Sequence, residues 1–463
     1  MKYLLFGTGD YYQRYKKWFC NDEVVALLDN SEKKQNTLID GIRVCSPEEG
    51  IKLGYDKIII LSFYVKAMKQ QLLELGVAEE CILHFYELHQ IMNVREYQMD
   101  ALFYGNADKV LLDRTEKKKI LLLSQDLTLG GPSIALLHVA EVLIQKGMTV
   151  VYGSMLDGPL RDVLLEKNIP VVVDNKLQIA KMSEIDWLQG FSAILCNTIN
   201  FHVFLSDRNT NIPIIWWLHD SLFFYDGIKK ESLSIIDRTN LRVLSVGPVS
   251  QYAIQSFLPD LEVGNLIYGV EDTGDIVKRN KTSKVCFVTI GYIEARKGQD
   301  VLMEAIHNLP VEIREKAVFF FVGQDSSLMA QRIKEEIEDV PEVVVTGVVA
   351  RGKIDEILEE ADVLLCPSRE DPMPTVAAEA MMHSVPCIVS DVTGTASYIT
   401  DGEDGFVFAS EHVEELAKKI AWCIENRSKL PELGASARQV FEKTFSMKAF
   451  EQNLLSIVND VLG

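Results

Sequence analysis

Short apolar runs recur along the chain, and the stretches between them carry helical spacing or turn residues. Runs at 2–6, 24–28 and 57–61 open the sequence, followed by runs at 120–124, 148–152, 171–173, 193–196, 213–218 and 242–246. A last group lies at 285–290, 319–323, 343–347 and 363–366. Continuous apolar runs of this length predict strands buried on both faces. The intervening segments are long enough for crossover helices. One, ending near Gln145, has Pro132 just inside its start and Gly147 just past its end. Strands alternating with helices predict an α/β protein with doubly wound parallel sheets. Breaks in the pattern predict a small unit over 1–90, a polar linker over 91–118 and a second unit over 119–272. A third unit over 273–446 and a terminal helix over 447–463 complete the chain. The basic run Arg114 to Lys119 reads as a solvated face of the linker, and 273–284 as a polar bridge.

Composition narrows the partners. Of 463 residues, 48% are hydrophobic and 25% charged, as in an ordinary globular protein. Lys and Arg total 47 against 67 Asp and Glu, a net charge of −20. Such a surface argues against nucleic acid as a partner. It also makes any basic residue beside a glycine informative, because an anionic substrate needs a local positive seat. The eight cysteines are scattered with no Cys-x-x-Cys pair, so reduced thiols are expected rather than disulfides or zinc ligands. No apolar run approaches a membrane span, and Gly7 and Asp10 come too early for a signal peptide. A cytoplasmic protein is the expectation.

The segment from Cys366 to Ile388 carries the densest chemistry. It reads as a strand end, a proline-bearing loop, a short helix and the next strand. Pro372 and Pro374 suit a first helical turn, leaving the N–H groups of Met373, Thr375 and Val376 free to meet an anion. Asp371 precedes the helix, and Glu379 lies within it among apolar residues, where a carboxylate needs a partner. Thr375, Glu379 and His383 are also spaced by four, so a solvated stripe is the other reading. Arg296 and Lys297 stand before Gly298 at the start of a helix, a place suited to a diphosphate. Gly130 and Gly131 follow the strand at 120–124, either as a plain turn or to let the backbone approach a ligand. His219 stands just past the run 214–218. Around it Phe201, Phe204, Trp216, Trp217, Phe223, Phe224 and Tyr225 read mostly as core, a minority as a platform for a sugar acceptor.

These motifs together resemble the retaining glycosyltransferases of family 4, over roughly residues 120–460. The acid-x7-acid spacing of Asp371 and Glu379 matches their signature, with Asp for the usual Glu and Pro-Met-Pro for the family's glycines. The resemblance implies a GT-B fold: two doubly wound Rossmann-like domains facing a cleft. It implies a nucleotide-diphosphate sugar as donor and a glycan or lipid-linked acceptor, in bacterial surface polysaccharide synthesis. Carried over, His219, Lys297 and Asp371 are catalytic. Gly131, Arg296, Lys297, Asp371, Met373, Pro374, Thr375 and Glu379 bind the donor, Glu379 through its ribose. No metal or other cofactor is implied, in keeping with the absence of any Asp-x-Asp. A peripheral contact at the inner face of the membrane stays open, as do a GT-B epimerase or phosphorylase and a non-catalytic sugar-nucleotide-binding regulator.

The front unit carries Gly7-Thr8-Gly9 after its first strand and Asp29 after its second, part of a dinucleotide-binding pattern that lacks the third glycine. It resembles the Rossmann-like modules at the front of some sugar O-acetyltransferases. Either it binds a nucleotide or nucleotide sugar, or it is a module used for packing or oligomerisation.

Overall fold

The computed structural model describes residues 1–97, 99–113, 118–274 and 283–463. Most of the basic run, 114–117, and most of the polar bridge, 275–282, therefore lie outside the described residues. The chain divides into two compact units: one is mainly 1–243, the other mainly 262–461 together with 244–253.

The first unit holds two sheets. The front sheet is built from β1 (Lys2–Phe6), β2 (Glu23–Leu28), β3 (Leu38–Ile39), β4 (Ile42–Cys45), β5 (Lys57–Ile60) and β6 (Ile82–His84), in the order β3-β4-β2-β1-β5-β6. Its pairs are parallel except the β3–β4 hairpin. Leu4, Phe6, Ala26, Leu28, Ile58 and Ile60 pack with Leu72 of the following helix into its core. The chain then enters β7 (Leu102–Tyr104), β8 (Lys119–Ser124), β9 (Thr149–Ser154), β10 (Val171–Val173), β11 (Ala193–Asn197), β12 (Ile214–Leu218) and β13 (Leu241–Ser245). In the second sheet β8 lies between β9 and β11, β10 beyond β9, and β12 beyond β11.

The stretch expected as linker has structure of its own. Leu102–Tyr104 pairs antiparallel with Val171–Val173 and forms the edge of the second sheet, and Ala107–Leu112 is a helix. Lys119, expected on a solvated face, is buried. Its Nζ donates to the carbonyls of Val110 (2.7 Å) and Asp113 (2.6 Å), closing the carboxyl end of that helix.

In the second unit the end of β13 pairs with β14 (Gly264–Asn265). The third sheet follows as β15 (Val285–Ile290), β16 (Ala317–Val322), β17 (Val343–Gly347), β18 (Val363–Cys366), β19 (Cys387–Ser390) and β20 (Gly405–Phe408). Its order, β17-β16-β15-β18-β19-β20, is that of a dinucleotide-binding sheet, and all its pairs are parallel. Phe287, Phe319, Phe321 and Leu365 form its centre, with Leu302, Ile306, Ile420 and Leu433 from the covering helices. The terminal helix, Met447–Leu462, belongs to this unit through Val461. One central strand in each sheet, β1, β8 or β15, is flanked by neighbours reached in opposite directions: β2 and β5, β9 and β11, β16 and β18. Such switch points leave a crevice at the carboxyl ends, where open α/β sheets bind ligands.

Candidate functional site

In the second unit the switch point lies between β15 and β18, and the loops after both strands carry candidate residues. The loop after β15 turns at Gly298, whose φ is +68° and whose Cβ, if it had one, would meet the Pro367 carbonyl oxygen at 2.0 Å. Only glycine permits that approach, and it brings Lys297 against the loop after β18. Lys297 Nζ lies 2.5 Å from Asp371 Oδ2, with the Asp371 side chain only 8% exposed. The two catalytic candidates of this unit are thus an ion pair. Arg296 is directed otherwise: it donates to the Glu370 carbonyl (3.1 Å) and to Glu294 (2.9 Å). Its charge is committed to Glu294, whereas that of Lys297 is directed to Asp371.

Asp371 is fixed from the other side. Its carbonyl accepts the N–H of Gly394 at 2.9 Å, and the segment bridges to Thr393. Met373 follows, its carbonyl accepting the Tyr268 hydroxyl at 3.2 Å. Pro374 caps the helix Thr375–Met382 with extended backbone. Among the described residues no acceptor meets the N–H of Met373, Thr375 or Val376. The helix start beside the Lys297–Asp371 pair thus offers unmet N–H donors of the kind that suit an anion.

Glu379 is buried rather than part of a solvated stripe, and so is His383. Arg351, from the helix Arg351–Glu360, grips Glu379 with both Nη atoms, the Nη1 contact being 3.2 Å. This fork occupies one edge of the carboxylate and leaves further lone pairs for hydroxyls. His383 Nε2 meets Asp355 of the same helix at 3.2 Å. Sequence reasoning missed Arg351. Its place in a mixed charged helix gave no signal, because the contact spans 28 residues of chain.

The first unit holds Gly131 and His219. Gly131 opens the helix Gly131–Gln145 after β8, with Gly130 as its extended cap. The loop before it is tied by Asp126, whose Oδ1 accepts from Thr128 Oγ1 at 2.6 Å and from Ser133 Oγ at 3.3 Å. His219 follows β12 and sets its ring 4.3 Å from the Trp217 ring, edge to face. Its Nε2 is buried with no partner among the described residues, and burial pushes its pKa down to about 3. The ring is neutral at neutral pH. Asp220 beside it is a further ionisable group that sequence reasoning passed over. Burial raises its carboxyl to about 7, although it accepts the Ile199 N–H at 2.6 Å. The one available signal was a carboxylate closing an apolar strand next to a singled-out histidine.

Most of the aromatics around His219 are core, as expected. Phe201, Phe204, Trp216, Trp217 and Tyr225 are buried, and Phe223 and Phe224 are half-buried. In the front module the dinucleotide pattern is closed on itself. Gly7 serves a close approach, since a Cβ there would lie 2.7 Å from the Leu61 carbonyl oxygen. Thr8 donates to Asp29, and Lys34 Nζ reaches Thr8 at 3.1 Å and Asp29 at 3.2 Å.

Parallel sheets in switch-point order are the framework of Rossmann-like domains, two of which make up the GT-B fold. Comparison with known families agrees: Glycosyl transferases group 1 matches residues 272–440 and Glycosyl-transferase family 4 matches 116–251. Over these two segments the chain is similar to glycosyltransferases. The front module, 1–83, matches a family described as C2185-like, N-terminal. A relative, the lipopolysaccharide glucosyltransferase WaaG of Escherichia coli, is 29% identical over 143 residues, 30% of this chain. The capsular polysaccharide biosynthesis glycosyltransferase CapM of Staphylococcus aureus is 29% identical over 101 residues, 22% of this chain. The chain spans 38% of the first relative's length and 27% of the second's. Among solved structures, Anabaena Alr3699/HepE in complex with UDP and glucose aligns with a TM-score of 0.62 at 19% identity. That alignment covers 74% of this chain and all of the other, and shows the shared fold.

Proposed function

We propose that the protein transfers a sugar from a nucleotide-diphosphate sugar to a glycan or lipid-linked acceptor, with retention of configuration, in bacterial surface polysaccharide synthesis. The observation that carries the reading is the Lys297–Asp371 pair, 2.5 Å apart, beside a helix start whose N–H groups are unmet. A diphosphate leaving group needs a cation and amide donors where its charge grows, and Lys297 and the amides of Met373 to Val376 are those groups. On donor binding Lys297 turns from Asp371 to the diphosphate, which frees the Asp371 carboxylate for the hydroxyls of the donor sugar. Glu379, already held by Arg351, takes the ribose. His219 is neutral and contributes a polar edge to the reacting sugar rather than a charge. The departing phosphate accepts the acceptor's proton, so no protein nucleophile takes part. Charge compensation by Lys297 and the amides is the support for a reaction without a metal ion.

Donor class and setting draw on relatives. HepE is a GT-B structure holding UDP and glucose, and WaaG and CapM act in lipopolysaccharide and capsule synthesis by their names. Among the described residues no helix is long and apolar enough to cross a membrane, so a lipid-linked acceptor would be met at a surface. The test begins with a thermal-shift panel of UDP-glucose, UDP-galactose, UDP-N-acetylglucosamine and GDP-mannose, because binding stabilises by mass action. Release of nucleoside diphosphate from the stabilising donor, undiminished by a chelator, is expected. Stabilisation with no release would instead make the protein a sugar-nucleotide-binding regulator.

A further inference from the structure

Within the first unit the front module packs on the loops of the second sheet through the carboxyl ends of its strands, the edge at which a Rossmann-like module would bind its ligand. Phe63, in the loop after β5, packs its ring on Phe223 (6.0 Å) and Phe224 (5.0 Å), and Lys66 pairs with Asp226 at 2.7 Å. These partners lie in the loop that follows His219. Arg14, in the helix after β1, stands 3.5 Å from Asp126, the residue that ties the loop before Gly131. The module's switch point is therefore faced by the loops of the second sheet, and its nucleotide pattern is closed by Thr8, Asp29 and Lys34.

Tyr86, just beyond β6, makes the most specific of these contacts. It is buried, and its hydroxyl donates to Asn200 Oδ1 at 2.9 Å, with the Phe224 carbonyl oxygen a longer, shared acceptor at 3.4 Å. Asn200 Nδ2 in turn donates to Gln125 Oε1 and to Thr198 Oγ1 (3.2 Å). One hydroxyl thus links the loops after β8, β11 and β12. The middle loop is strained: Thr198 has φ +68° and ψ 160°, a conformation that a β-branched residue adopts only when its surroundings impose it. Its neighbour Ile199 donates to Asp220, next to His219.

We infer that Tyr86 of the front module is a positioning residue for the acceptor-side half of the reaction, holding the Thr198–Asn200 loop and, through it, the His219 loop. This rests on the transferase reading above. The module has taken the second sheet's active edge as its ligand, and its role is to fix that edge.

The test uses the full chain with Tyr86→Phe, Asn200→Ala and the double variant. The probes are the four sugar nucleotides named above, read by slow hydrolysis to nucleoside diphosphate. Tyr86→Phe is expected to lower kcat by about tenfold or more while donor KM stays within about twofold, because a displaced reacting geometry costs turnover and not nucleotide binding. Asn200→Ala should cost a similar factor, and the double variant no more than the larger single loss. Hydrogen exchange over 198–202 and 219–227 should rise in Tyr86→Phe, with that over 285–408 unchanged. Wild-type kcat in Tyr86→Phe, or losses that multiply in the double variant, overturns the inference. So does unchanged exchange in those two segments, a readout independent of turnover. If the wild type hydrolyses no donor, the transferase reading fails, and the exchange experiment still decides whether Tyr86 holds the loops.

Discussion

Lys297 and Asp371 face each other at 2.5 Å across the switch point of the third sheet, so the cation proposed for the diphosphate is neutralised by the carboxylate proposed for the sugar. Removing either leaves the other unpaired in a largely enclosed place. Lys297→Ala should depress kcat by about two to three powers of ten, as loss of a transition-state electrostatic partner does. Steady-state release of nucleoside diphosphate measures it, and near-normal kcat would remove Lys297 from the diphosphate.

Glu379 and Arg351 divide a second role. Glu379→Gln should raise donor KM with a smaller effect on kcat, because the ribose that Glu379 is proposed to hold does not change during the reaction. Arg351→Ala should cost about 1–3 kcal/mol of stability, the range for losing a charge-assisted partner of a buried group. Urea midpoints for the second variant and kinetics for the first separate the two. Abolished kcat at unchanged donor KM in Glu379→Gln would reverse the assignment.

Stability should fall on acidification below about pH 6.5. Burial pushes His84 to about 3, His202 to about 4 and His219 to about 3, each below the value near 6.5 of an unfolded chain. The unfolded chain therefore takes up more protons in this window, and stability present above 6.5 is lost as pH falls toward 4. Asp220 opposes this. Its folded value near 7 exceeds the unfolded 3.8, so its contribution is present at low pH and lost as pH rises through 7. Each group changes the slope by up to about 1.4 kcal/mol per pH unit. Urea midpoints between pH 4.5 and 7.5 should show a flatter acid limb in His84→Gln and a steeper one in Asp220→Asn.

Lys119→Ala should destabilise the first unit by about 2–4 kcal/mol, since it removes two charge-assisted bonds to helix carbonyls and opens a gap. Lys119→Met, which keeps the stem and sheds the buried charge, should lose less. A pair of equal midpoints shifts would show that the ammonium contributes nothing beyond its stem.

Most strands were legible because parallel strands buried on both faces leave continuous apolar runs, and Pro132 and Gly147 punctuated a helix as local chemistry requires. What escaped depends on distant pairing. Leu102–Tyr104 is three residues long beside polar neighbours, and only Val171–Val173 makes it a strand. Lys119 read as solvated because the helix end that receives it has no signature in the basic run. In the candidate site, the spacing of Asp371 and Glu379 left a solvated stripe open and the family resemblance singled them out, whereas Arg351 and Asp220 make contacts that spacing does not encode. The front module's glycines pointed to a nucleotide. Local sequence could not tell that Gly7 makes room for the Leu61 carbonyl.

The edge strand at Leu102–Tyr104 sets a schedule for synthesis on the ribosome. Its partner, Val171–Val173, is translated about 70 residues later, several seconds at about 5–20 residues per second. Until then Leu102 and Phe103, which remain half exposed even in the finished fold, have no ladder to join. A nascent or truncated chain ending in that interval carries an open, apolar strand edge, the surface that chaperones hold and aggregates grow from. A shortened form of this protein should therefore keep residues 102–104 and run past residue 173.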